Sequence, residues 1–169
     1  MSAPMRTADN GKRPVTAAAG PYGHPFHPIL VTVPIGAWIA SFVFDIASRY
    51  VDDPSVFASG SRWLIAIGVV GALAAAVFGF LDLLAIPDHT PARRTGYIHM
   101  GLNLSVAAAF AVSFLLRDGD GPVGWGLIAL SAISLAALGL SGWLGGKLAY
   151  TYGVRVVDEE TQASGFTTT

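Results

Sequence analysis

Four long apolar stretches, separated by short clusters of charge, proline and glycine, set the pattern of this chain. The first runs from about Ile29 to Tyr50 and the second from Arg62 to Ile86. The third covers about Tyr97 to Leu116, and the fourth Val123 to Gly146. At ~1.5 Å of rise per residue, helices of these lengths cross a hydrocarbon layer ~30 Å thick. Trp63 to Leu81 and Gly121 to Gly146 carry no charge at all. Helices that are apolar on every side have no face left for water, so these read as lipid-facing spans. Between them VDDPS, PDHTPARRTG and RDGDGP supply turn chemistry. Pro28, Pro91 and Pro122 stand near helix starts, where a missing N–H costs little.

The pattern predicts an all-α fold: a four-transmembrane-helix up-down bundle in a lipid bilayer, occupying residues 23–156. Residues 1–22 read as a flexible polar segment without the apolar core of a cleavable signal peptide. Residues 157–169 read as a flexible polar tail without a helical stripe. Lys and Arg in short flanks set orientation. Arg6, Lys12, Arg13, Arg93, Arg94, Lys147 and Arg155 fall on one side, and Arg49, Arg62 and Arg117 on the other. The richer side is expected in the cytoplasm, with both termini, and the expected location is a bacterial plasma (inner) membrane.

Composition agrees. The chain is 53% hydrophobic and 12% charged, with mean hydropathy +0.56, against roughly 25% charge in soluble domains. A net charge of −1 and the lack of any basic run with interleaved aromatics argue against a nucleic-acid partner. Cysteine is absent, which removes disulfides, c-type haem attachment, iron–sulfur ligation and thiol nucleophiles. Haem held by histidine stays open.

The chemistry-bearing residues gather at one side of the bundle. His24 and His27 enter the first helix, Asp82 lies about one turn inside the end of the second, and His99 lies near the start of the third. Asn103 follows His99 by one turn on the same face. An ionisable residue inside a span is costly and marks a candidate site. His27 before Pro28 reads as a helix N-cap, and His89, between Asp88 and Thr90, as a solvated loop residue. Asp45 lies about 27 Å further along the first helix than His27 and reads as an ion pair with Arg49. Trp38, Trp63, Trp125 and Trp143 read as interfacial anchors. Gly139, Gly142 and Gly146 offer a small-residue face for close helix packing, within the bundle or in a homo-oligomer.

At HPFHPILVTVPIG with Asp45 downstream, GFLDLLAIP, ARRTGYIHMGLN and SGWLGGKLAYTYGVRV, the chain resembles a bacterial membrane family, domain of unknown function 2231. The resemblance covers about Gly23 to Val156. It implies four helices and, because some members are joined to iron–sulfur or cytochrome-like domains, membrane redox chemistry with a redox partner protein.

Three readings of the polar layer compete. In the first, His27 and His99 bind haem b iron axially, with Arg93 and Arg94 on the propionates. In the second, His24, His27, Asp82 and His99 bind a non-haem metal, zinc or iron. In the third, the protein is a non-catalytic membrane scaffold or accessory subunit. No nucleophile–base pair or catalytic residue stands out.

Overall fold

The computed structural model describes residues 11–167. The expectations for residues 1–10, including Arg6, and for residues 168–169 lie outside the described residues. Every regular element among the described residues is helical. The first apolar stretch forms α1 (His27–Leu30) and α2 (Thr32–Ala47); the others form α3 (Ser55–Ala85), α4 (Pro91–Leu115) and α5 (Trp125–Gly146). Four spans are long and apolar enough to cross a membrane: His27–Ala47, Ser55–Ala85, Pro91–Leu115 and Trp125–Thr151. Each packs on its chain neighbours, and α2 also meets α5, so the bundle closes into a ring.

The helix limits follow local chemistry. The first span is interrupted at Val31, three residues before Pro34, whose ring nitrogen has no hydrogen to donate back along the helix. The second span starts seven residues earlier than its apolar run, because Arg62 does not end it. The guanidinium of Arg62 lies 4.9 Å from the Phe114 ring centre instead, a cation held over an aromatic face. Thr90 caps α4 by accepting from Arg93 N at 3.1 Å, with Pro91 in the first turn. Beyond Gly146 the chain continues as a wider π-helical turn, Lys147–Thr151.

Two polar ends frame an apolar middle. The middle is built on Trp38, Ile65, Val106 and Phe110, all buried. Trp38 stacks on Phe110 with ring centres 4.4 Å apart and planes 10° from parallel. Trp38 is therefore a core residue, not an interfacial anchor, whereas Trp63, Trp125 and Trp143 are exposed as expected. Gly68 makes room for it: a Cβ there would sit 2.2 Å from the indole nitrogen. Outward positions such as Ile39, Val43, Val70, Val77, Ile133 and Leu140 are exposed, as a lipid-facing surface requires.

One end holds a fully buried charge cluster. Arg117, just past α4, binds Asp45 through both terminal nitrogens, Nη2 to Oδ2 at 2.7 Å. Ser61 donates to Asp45 Oδ1, Ser131 donates to Oδ2 at 3.3 Å, and Arg117 Nε donates to Ser113 at 3.2 Å. Asp45 thus pairs with Arg117 and not with Arg49. A planar guanidinium presents two donors to a carboxylate, and here it does so away from water. Arg49 lies over the Trp125 ring at 5.1 Å.

At the other end the first and last described segments meet. A short 3-10 turn, Ala17–Ala19, packs on α3, with Ala19 fully buried. Past Thr151, Asp158 caps α6 (Glu159–Ser164), accepts from Tyr22 Oη at 2.9 Å, and precedes a Lys12–Glu159 ion pair at 2.7 Å. Lys12, Tyr22, Asp158 and Glu159, from the segments read as flexible (1–22 and 157–169), make these contacts.

Candidate functional site

The structure brings His27 and His99 together. Their ring centres are 6.3 Å apart and their planes stand at 87°. His27 is the first residue of α1, and Phe26, not His27, occupies the cap position, with no side-chain cap hydrogen bond. The imidazole turns into the bundle instead, where Nδ1 meets the Ala75 carbonyl at 2.9 Å. It rests on Gly79, where a Cβ would come within 2.9 Å of the ring. Glycine is required there by the close approach of the imidazole to the helix backbone.

His99 is held from two sides. Nδ1 lies 2.8 Å from the Ser141 carbonyl and 3.0 Å from Ser141 Oγ, while Asn103 Nδ2 lies 3.1 Å from Nε2. Asn103 also donates to the His99 carbonyl at 2.9 Å, so the turn between them is doubly tied. Gly145 lets the ring approach α5, since a Cβ there would lie 3.1 Å from Cε1.

These contacts fix where the ring protons sit. A carbonyl oxygen only accepts, so Nδ1 of each histidine carries the hydrogen in these bonds. In a neutral ring the lone pair is then on Nε2. On His99 it accepts from Asn103; on His27 it has no hydrogen-bond partner among the described residues. Anchoring Nδ1–H on a carbonyl and leaving Nε2 free is how proteins orient imidazole ligands.

The pair lies deeper than the helix ends. His99 is eight residues past Pro91, about 12 Å along its helix, and Ala75 is ten residues before Ala85, about 15 Å. Asp82 sits one turn beyond Gly79, between the pair and the end of the bundle. It is buried, and its Oδ1 lies 2.7 Å from Arg155 Nε, although the two are off the alignment of a hydrogen bond. Arg155 also donates through Nη2 to the Ala19 and Gly20 carbonyls, at 3.1 and 3.0 Å. Its backbone is left-handed, φ 60°, an uncommon state for a residue with a side chain, and its N–H reaches the Gly11 carbonyl at 3.0 Å.

The remaining sequence candidates stand apart. His24 and His89 are exposed. Arg93 caps the end of α3, donating to the Leu83 and Ile86 carbonyls at 2.6 and 2.7 Å, and Arg94 is exposed. Among the described residues no group of three or more His, Cys, Asp or Glu side chains is placed to hold a metal ion. Gly139 and Gly142 are exposed, with open space where a Cβ would lie, so they are not helix contacts within the bundle.

Sequence reasoning missed Arg155 and Arg117 as partners of the two intramembrane aspartates. The signal for the second was present as serines at 61, 113 and 131, polar side chains in otherwise apolar runs. For Arg155 there was none, because it lies past the last span in a stretch without periodicity.

The fold is that of a four-span membrane bundle in which two histidines meet. Residues 23–158 match a family described as "Predicted membrane protein (DUF2231)", and the chain belongs to that family. Comparison with curated proteins and with solved structures gave no match.

Proposed function

We propose that the protein is a b-type haem protein of a bacterial inner membrane, with His27 and His99 as axial ligands. The observation that carries this reading is the 6.3 Å between the two ring centres, with each Nδ1 anchored on a carbonyl. Two histidines brought this close from different helices would hold the haem, and its iron would supply the redox chemistry. Ligation by His27 would use Nε2, which lies beside α3 at Gly79, and ligation by His99 would replace the Asn103 hydrogen bond.

The donor set favours haem over a non-haem ion. Zinc or iron without a porphyrin needs three or four protein ligands. Asp82 is already paired with Arg155, and His24 is exposed. A porphyrin supplies four nitrogens itself, so two histidines suffice. Bound haem iron would supply one-electron transfer, and the four spans would hold it inside the bilayer for exchange with a redox partner protein. The positive flanks support placing the histidine end and both termini in the cytoplasm. The open, outward Gly139 and Gly142, with Gly146 nearby, support a homo-oligomer packed through α5.

The buried Asp45–Arg117 cluster supports a second reading, a scaffold or accessory subunit, since it links all four spans without any vacant donor set. A visible absorption spectrum of the purified protein, oxidised and reduced, with elemental analysis, separates the readings. Haem bands lost in His27→Ala and His99→Ala support the first. Zinc or iron without a porphyrin spectrum supports a non-haem ion, and neither supports the scaffold.

A further inference from the structure

Two arginines at the end opposite the histidines have no acidic partner. Arg49 follows α2, and Arg62 lies in α3. Among the described residues neither makes an ion pair or a side-chain hydrogen bond. Each lays its guanidinium on an aromatic ring instead, Arg49 over Trp125 at 5.1 Å and Arg62 over Phe114 at 4.9 Å. A ring attracts the cation but leaves its outer N–H groups without an acceptor. In both side chains Nε is buried and unpartnered, whereas the terminal nitrogens are neither buried nor hydrogen-bonded. The forked edge of each guanidinium therefore reaches the surface, and that edge matches the paired oxygens of a phosphate.

The two lie on opposite seams of the ring of helices. Arg49 and Trp125 join α2 to α5, and Arg62 and Phe114 join α3 to α4. Both seams meet the bilayer boundary. Trp125 is the first residue of α5, and Phe114 is next to last in α4. The 31 residues of α3 measure about 46 Å against a hydrocarbon core of ~30 Å, which leaves its first two turns, as far as Arg62, for the headgroup layer. Tyr50, Trp63, Leu115 and Trp125 are exposed around the two arginines, the mixture of apolar body and polar tip that suits a membrane interface.

The loops of this end carry four exposed carboxylates, Asp52, Asp53, Asp118 and Asp120. They repel a soluble anion approaching from water. An anion carried by acyl chains reaches the arginines from the side of the helices instead. We infer that Arg49 and Arg62 are two phospholipid sites in the leaflet opposite the histidine end. Each guanidinium binds the headgroup phosphate, and the exposed tryptophans beside them, Trp125 and Trp63, pack against the glycerol and upper chains. Neither site depends on a cofactor at His27 and His99.

The test counts lipids on the delipidated full-length protein by non-denaturing mass spectrometry. The probes are dioleoylphosphatidylglycerol and glucosyl dioleoylglycerol, which has the same chains and no phosphate. The natural chain should bind one phosphatidylglycerol per arginine, about tenfold or more tighter than the glycolipid, the scale of a charge-assisted hydrogen bond. Arg49→Gln and Arg62→Gln should each lose one of these lipids and the double variant both, with helical circular dichroism preserved. Arg49→Lys and Arg62→Lys, which keep the charge without the fork, should bind phosphatidylglycerol more weakly than the natural chain. Inorganic phosphate should not compete. Equal affinity of the natural chain for the two lipids overturns the inference without reference to any variant, as does full phosphatidylglycerol binding by the double Gln variant. Competition by inorganic phosphate would mark a general anion site and overturn the assignment to lipid.

Discussion

Asp45 and Arg117, 72 residues apart in sequence, meet through two hydrogen bonds in a pocket that excludes water. Breaking such a pair strands a charge. We expect Asp45→Asn or Arg117→Met to destabilise the detergent-solubilised protein by about 3–5 kcal/mol. The double variant, which leaves no lone charge, should cost clearly less than the sum. Thermal unfolding followed by helical circular dichroism measures both, and additive losses would show that the two residues act separately.

The histidine layer makes a sharper prediction. Substituting His27 or His99 with Ala should abolish a bound chromophore, and His89→Ala should leave it unchanged, since His89 is exposed at a loop position with φ 61°. Retention of the chromophore in both His27→Ala and His99→Ala would remove the centre from this site.

Gly79 tests the fit of His27 without touching a ligand. Alanine there places a Cβ 2.9 Å from the imidazole, tighter than carbon atoms accept. The ring must move, and overpacking of this kind costs about 1–3 kcal/mol. A shifted or weakened chromophore spectrum with preserved helicity is the expected result. An unaltered spectrum would mean that His27 is not held against α3.

The described ends of the chain share one face of the bundle. Reporter fusions after Leu116 and after Thr169 should therefore give opposite compartment signals, with the second cytoplasmic. Matching signals would contradict the single crossing, by α5, that separates the two fusion points.

Asp158 gives the expected acid response. Its carboxylate accepts from Thr161 N–H, Tyr22 Oη and Thr161 Oγ1, which pull its pKa from 3.8 down to about 2. A depressed carboxylate pKa favours the folded state above the ordinary value and loses that contribution as pH falls through the folded one. The link between α6 and Tyr22 should hold at pH 5 and release between about 4 and 2. Limited proteolysis by pepsin across that range would report the opening. Asp158→Asn should already be open at pH 5.

The four spans were legible because an uninterrupted apolar run of such length suits a lipid interior and little else, and the family resemblance was confirmed over residues 23–158. Their starts were less so: Arg62 looked like a boundary, while it lies inside the second span with its side chain over Phe114 of the third. Asn103 beside His99 was readable from helix periodicity alone, one turn apart. Asp45 was paired with the nearest cation along the helix, Arg49, since sequence spacing reveals neighbours within an element and not across a bundle. Trp38 could not be told from its exposed counterparts, because an aromatic ring suits both an interface and a core.

Arg155 also imposes an order on assembly. Ribosomes deliver this chain from its N-terminus, and Asp82 emerges 73 residues (155 − 82) before the guanidinium that meets it. At about 5–20 residues per second, that is an interval of roughly 4–15 s. During it the first three spans can associate, while the carboxylate has no arginine and the Ala19 and Gly20 carbonyls lack theirs. The Asp82–Arg155 contact, and the tie it makes to Ala19 and Gly20, can therefore form only once synthesis has passed Arg155.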